Sequence, residues 1–77
     1  MSKARSRAHG LGVKPNAYAR KAARFADGVR KRAQLLAYEW NEIDNSVVTA
    51  VDDFLRALDT LEAEIKEAVE YLREPVE

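Results

Sequence analysis

The chain has 77 residues, with thirteen Lys plus Arg, thirteen Asp plus Glu and no cysteine. It is too short for two independent globular domains, and without cysteine these residues form no disulfide, thiolate zinc site or thiol nucleophile. Its uncharged runs are far shorter than the ~20 apolar residues that cross a bilayer. We therefore predict no transmembrane helix and expect a cytoplasmic or virion-associated protein.

The formal net charge of zero comes from two halves of opposite charge. Residues 1–33 carry ten Lys or Arg against Asp27 alone, a charge of +9, and residues 34–77 carry three against twelve Asp or Glu, a charge of −9. Such asymmetry is typical of chains that bind a polyanion, self-associate or do both. Because a core of this size seldom supplies more than about 3–5 kcal/mol, we expect a partner subunit to add stability.

The first segment, residues 1–15, contains two of the three glycines, one of the two prolines and no acidic residue. Leu11 and Val13 are its only sizeable apolar side chains after Met1, too few to order it by burial. We predict an extended basic arm over residues 1–15. Asn16 is then the expected N-cap of the following helix, because its side chain can accept from the free amides of the first turn.

The next segment, residues 16–74, has the apolar period of a helix. From Tyr18 to Leu72 apolar residues recur every three or four positions, about 3.6 on average, and they do not alternate as in a strand. The fold class is therefore predicted to be all-α, with a helical association module over residues 16–74. Pro75 ends the helix and leaves residues 75–77 as a C-terminal tail.

Residues 41–46 contain the best candidates for a turn, with two Asn, one Asp and one Ser. A turn there produces an antiparallel helical hairpin with arms of about 40 Å. The alternative is one long continuous helix of about 88 Å in an antiparallel coiled-coil assembly. Usual helix lengths favour the hairpin. Both arrangements place the basic half beside the acidic half.

The second half of the module has the stronger apolar pattern. Its a and d positions are apolar over more than three heptads, and Val48, Leu55 and Val69 widen the stripe beyond the seam of a two-stranded coil. That width indicates contact with more than one helix, so we expect a protein partner or a homo-oligomer. The residues expected at the oligomer interface are Val47, Val51, Phe54, Leu58, Leu61, Ile65, Leu72 and Trp40.

The basic residues of the first half form a candidate polyanion site. On a helical wheel several of them lie away from the apolar stripe, where they can follow phosphates or an acidic protein surface. No element for reading nucleic-acid bases is visible. The candidate polyanion-binding residues are Lys3, Arg5, Arg7, Lys14, Arg20, Lys21, Arg24, Arg30 and Arg32.

Trp40-Asn41-Glu42, near the middle of the chain, resembles the Trp-x-Gly turn of the small WXG secreted hairpins. Glu42 occupies the position of the glycine. Residues 71–75 lack that family's export spacing of Tyr, three residues and an acid. The resemblance implies a secreted two-helix hairpin, which we carry only as an alternative.

We expect no enzyme, no cofactor and no metal site. His9 is the single histidine and has no partner at a ligand spacing, and Gly10-Leu11-Gly12 lacks the preceding strand and third glycine of a dinucleotide loop. A thin helical pair also has no room for a substrate cavity of several hundred Å3, the order of magnitude usual for ligand sites.

The leading hypothesis is a non-enzymatic structural or assembly protein. It associates through the apolar stripe and docks its basic arm on a larger assembly such as a nucleoprotein or a virion. The first alternative is a small nucleic-acid-binding regulatory protein. The second is a membrane-surface or WXG-like secreted hairpin, which is less expected because the apolar face of the first helix is mostly alanine.

Overall fold

Two long helices that pack side by side dominate the computed structural model, which describes residues 5–76. A short strand and a short helix precede them, and a second short strand follows. This architecture confirms the predicted all-α antiparallel hairpin and excludes the single long helix. In chain order the elements are β1 (Arg5–Ser6), α1 (Arg7–Leu11), α2 (Pro15–Trp40), α3 (Asn45–Arg73) and β2 (Pro75–Val76).

The turn between α2 and α3 occupies residues 41–44, inside the predicted region. The Trp40 carbonyl accepts from the backbone amides of Ile43 and Asp44, at 3.0 and 3.1 Å. The Asp44 side chain then caps α3 by accepting from the Ser46 amide at 2.8 Å. Glu42 has a φ of 71°, in the left-handed region that costs a residue other than glycine about 1–2 kcal/mol.

The N-cap predicted for α2 is wrong. The helix begins at Pro15, which needs no amide donor at the first helical position. Lys14 holds the cap position without a side-chain hydrogen bond. Asn16 lies inside the helix, and its Oδ1 accepts from the Arg73 guanidinium at the far end of α3. Asn16 therefore joins the two helices instead of capping one.

The prediction of an extended arm over residues 1–15 is also wrong in the part that is described, because residues 5–11 form β1 and α1. The Ser6 side chain caps α1 by accepting from the His9 amide at 3.2 Å. Gly12, with a φ of 74°, ends the helix and donates from its backbone amide to the carbonyls of Ala8 and His9. Apolar burial alone does not predict this helix, because Ser6 and Gly12 cap its two ends. Residues 1–4, including Lys3, lie outside the described residues.

Contacts with the C-terminal end of the chain hold this segment in place. β1 pairs antiparallel with β2, so that Arg5 lies opposite Val76 and Ser6 opposite Pro75. The Arg7 amide donates to the Glu74 carbonyl at 3.0 Å. Residues 75–76, predicted as part of a C-terminal tail, therefore form a strand that pairs with the N-terminal segment.

The hairpin is a single layer of helices. Its Cα atoms extend over 66 × 16 × 12 Å, and α2 and α3 lie side by side with no third long helix over them. The core between the long helices is small. Its buried members are Ala26 and Ala33 from α2 and Val51, Leu58 and Val69 from α3. The buried residues of α2 are alanines, and its larger apolar side chains lie outside the contact with α3.

A candidate association face

The larger apolar residues of α2 lie beside its buried alanines. If the direction of Ala33 is taken as zero, steps of about 100° per residue place Tyr18, Phe25 and Leu36 at about 60–80° to one side. Phe25 is 57% exposed and Leu36 is 44% exposed. α3 therefore covers the alanine row of α2 and leaves this second row uncovered.

Helix α3 repeats the arrangement. Leu58 faces α2 and is only 4% exposed. Phe54 and Leu61 lie about 40–60° to one side of it, and they are 49% and 45% exposed. Half of the apolar stripe of α3 is thus buried within the chain, and the other half is open.

The two open rows lie on the same side of the hairpin. Viewed along one axis, antiparallel helices wind in opposite senses, so rows displaced by the same sequence angle point to the same face. An open groove of about 670 Å3 agrees with this geometry, because Val29 and Leu36 line one wall and Val47 and Phe54 line the other. We call this side the association face, formed by Tyr18, Phe25, Val29, Leu36, Val47, Phe54 and Leu61.

The opposite face of the hairpin carries an ion-pair cluster among smaller apolar side chains. Arg30 crosses between the helices there, with Nη1 at 3.0 Å from Asp59 Oδ1 and a second ion pair to Glu62. Donation to Asp59, together with the negative charges of Glu62 and Asp59, raises the pKa of Arg30 above its ordinary value and outweighs desolvation. The two faces therefore differ in kind, since one presents an ion-pair cluster and the other aromatic and aliphatic side chains.

The residues predicted at the oligomer interface fall into two groups. Val51 and Leu58 are buried against α2 of their own chain, and Val47, Ile65 and Leu72 are half-buried. Phe54, Leu61 and Trp40 remain exposed enough to meet another molecule. Tyr18, Phe25 and Leu36 are not among the residues predicted at this interface. The signal for them was the angular offset between the alanines and the large apolar residues of α2.

The predicted polyanion residues are also divided. Arg7 pairs with Glu74, and Arg30 pairs with Asp59 and Glu62, so acidic partners within the chain already neutralise both. Arg5 lies in β1, where only its backbone is described. The remaining candidates are exposed and, within residues 5–76, form no ion pair. They are Lys14, Arg20, Lys21, Arg24 and Arg32.

In the part of the chain that the structure describes, no helix is long and apolar enough to cross a membrane. The same residues contain no group of three or more His, Asp or Glu side chains placed to hold a metal ion. Comparisons with protein-family models, with curated proteins and with solved structures gave no match.

Proposed function

We propose that the chain is a non-enzymatic helical assembly protein that self-associates through the association face. One observation carries the proposal. Phe25, Leu36, Phe54 and Leu61 are all about half exposed on the same side of a hairpin that is one helix thick. Contiguous apolar surface of this kind marks an interaction site in soluble proteins.

Burial of this face would supply stability that the single hairpin lacks. Complete burial of a Leu or Phe side chain stabilises by about 1.5–3 kcal/mol, so covering the exposed half of one contributes about 1 kcal/mol. Four such side chains in each of two copies contribute about 8 kcal/mol, which offsets the cost of association of about 4 kcal/mol or more in lost freedom of motion. Self-association therefore compensates for the alanine-rich contact between α2 and α3.

A second copy of the chain is the partner that fits this face. Two identical faces have the same length and the same apolar character, as a twofold interface requires. The hairpin also presents a basic helix and an acidic helix side by side, so each copy carries the charges that complement the other. The sequence instead suggested that a free basic arm docks on a larger assembly. Residues 5–11 are folded against the end of α3, and we therefore favour a second copy as the partner.

Sedimentation velocity of the purified chain, from low micromolar to several hundred micromolar, tests the proposal. We expect a concentration-dependent dimer that a Phe54→Gln, Leu61→Gln variant converts to monomer. The matched control is Leu35→Gln with Tyr38→Gln, which changes two exposed residues on the other side of α2 and leaves the dimer intact. A chain that stays monomeric throughout, or two variants that associate equally, would overturn the proposal.

A second candidate function, nucleic-acid binding, rests on the outer side of α2. Arg20 and Arg24 lie about 140–180° from the direction of α3, fully outside the hairpin, and have no ion-pair partner among residues 5–76. Lys31 lies on the same ridge and pairs only with Asp27 of its own helix, at 3.2 Å. A cationic ridge of this kind suits the phosphate backbone of a duplex and reads no sequence.

Fluorescence anisotropy with a labelled DNA duplex tests this candidate. We expect binding at low salt that weakens steeply as salt rises, because counterions are released. Arg20→Gln with Arg24→Gln should abolish most of it, whereas Arg56→Gln with Lys66→Gln removes the same charge from α3 and should not. Absence of binding at low salt, or equal loss in both variants, contradicts a role for the ridge.

A further inference from the structure

Two copies that cover each other's association face can stack in two symmetric ways. A twofold axis parallel to the helices places α2 over the α3 of the second copy, with both turns at the same end. An axis across the helices places α2 over the other α2, with the turns at opposite ends. Both bury the same apolar residues, so apolar contact does not choose between them.

The charges of the two long helices distinguish between these two arrangements. α2 contains six Lys or Arg and two Asp or Glu, a net charge of +4, whereas α3 contains three and seven, a net charge of −4. Stacking α2 on α2 brings like charges together along the whole interface, and stacking α2 on α3 alternates them around a four-helix bundle. Like charges across an interface are strongly disfavoured, so the axis parallel to the helices is favoured.

Charged residues at the rim of the association face indicate which side chains meet between the two copies in this arrangement. Lys21 and Arg32 lie about 100–120° from the direction in which α2 faces α3, just outside the open apolar row. Asp53 and Glu64 lie at the corresponding rim of α3, at about 120–140°. All four side chains are exposed and, within residues 5–76, none of them forms an ion pair in the single chain.

The register of the hairpin sets how far apart these charged residues of the two copies lie along the helix axis. The ion pairs of Arg30 with Asp59 and Glu62 show which parts of α2 and α3 lie side by side. A twofold axis parallel to the helices leaves the position of each residue along that axis unchanged, so the second copy has the same register. Counted from these ion pairs at 1.5 Å per residue, Arg32 then lies about 6–10 Å along the axis from Asp53 in the other copy, and Lys21 lies the same distance from Glu64. Long basic side chains span such an offset.

We propose that two copies form a four-helix bundle in which α2 of each lies over α3 of the other. Both turns are at one end, Arg32 faces Asp53 of the second copy, and Lys21 faces its Glu64. This inference rests on the proposed self-association and specifies its geometry and the residues that select it.

Distance measurement by electron paramagnetic resonance on the full chain tests the geometry. A spin label on Asn41→Cys, in a chain without other cysteines, reports the separation of the two turns. We expect about 20 Å when the turns share an end, and about 40 Å or more when they do not, since α2 itself is about 40 Å long. The longer distance in a confirmed dimer overturns this inference and leaves self-association standing. Absence of a dimer overturns both.

Charge inversion provides the second arm of the test. Arg32→Glu or Asp53→Arg alone should each raise the dimer dissociation constant about tenfold, and the two together should restore it to within about threefold. With α2 over α2, Arg32→Glu would instead tighten the dimer by relieving repulsion between basic helices. The control is Arg24→Glu with Glu67→Arg, both on the outer sides of their helices, which should change nothing. Failure of the double variant to recover would refute the proposed pairing.

Discussion

Arg7 lies over the ring of Tyr71, with its guanidinium carbon 4.0 Å from the ring centroid. The same guanidinium donates to Glu74 at 2.9 Å. These two contacts, between residues more than 60 positions apart in sequence, attach the N-terminal segment to the end of α3. They also explain why a stretch with no acidic residues of its own is folded.

Arg7→Ala should release this segment without unfolding the long helices. A cation–π contact at an exposed site contributes about 0.5–1 kcal/mol, and a surface ion pair about 0–1 kcal/mol, so the local loss is about 1 kcal/mol. Hydrogen exchange should accelerate at the amides of residues 6–11 and remain unchanged in the middle of α2 and α3. Arg24→Ala, at an exposed site without an ion pair in the described chain, is the control. Equal acceleration in both regions would contradict a local role for Arg7.

Leu58→Ala should be among the most damaging single truncations. Leu58 is the most deeply buried leucine, and loss of a buried leucine costs about 2–5 kcal/mol, comparable to the whole stability of a small domain. The same change at Leu35, which is 61% exposed on the outer side of α2, should cost less than about 1 kcal/mol. Urea unfolding at one fixed protein concentration measures both, because association itself adds stability. Equal losses would mean that the core does not lie where the structure places it.

Glu42→Gly should stabilise the turn. Its φ of 71° is strained for glutamate and unstrained for glycine, and after the greater flexibility of unfolded glycine is subtracted a gain of about 0.5–1 kcal/mol remains. Glu39→Gly makes the same replacement inside the last turn of α2 and should lower the free energy of unfolding by about 0.5–1 kcal/mol. Thermal unfolding should therefore shift in opposite directions for the two variants. A shift in the same direction would contradict the left-handed conformation at position 42.

Gly28→Ala should also stabilise the protein, for a different reason. Gly28 lies in the middle of α2, where an added Cβ meets nothing within 4 Å, so alanine gains about 0.5–1 kcal/mol in helix propensity. Gly12→Ala places the same methyl group at a φ of 74° and should cost about 1 kcal/mol. Circular dichroism melting curves of the two variants separate the effects. A destabilised Gly28→Ala would contradict the open space at this position.

Local signals predicted the helices well and their ends less well. The 3.6 period extends from Tyr18 to Leu72 without a change of phase, and the turn formed where Asn and Asp residues were concentrated. The N-terminal segment was predicted wrongly because its order depends on β2, Tyr71 and Glu74, which no local pattern of residues 1–15 contains. Asn16 was misassigned for the same reason, since its partner Arg73 lies at the other end of the hairpin.

By itself the sequence determined the all-α class, the division into a basic and an acidic half, and a stripe wider than one helix contact. Only the tertiary structure shows which residues of the stripe are buried between α2 and α3 of the same chain. Ala26 and Ala33 of α2 and Val51 and Leu58 of α3 are buried between the helices, and each helix of a single pair covers only one sector of its neighbour. Phe54 and Leu61 have the same period as the buried residues and differ from them only in direction about the helix axis. That direction is set when α2 packs on α3, and it leaves the association face open.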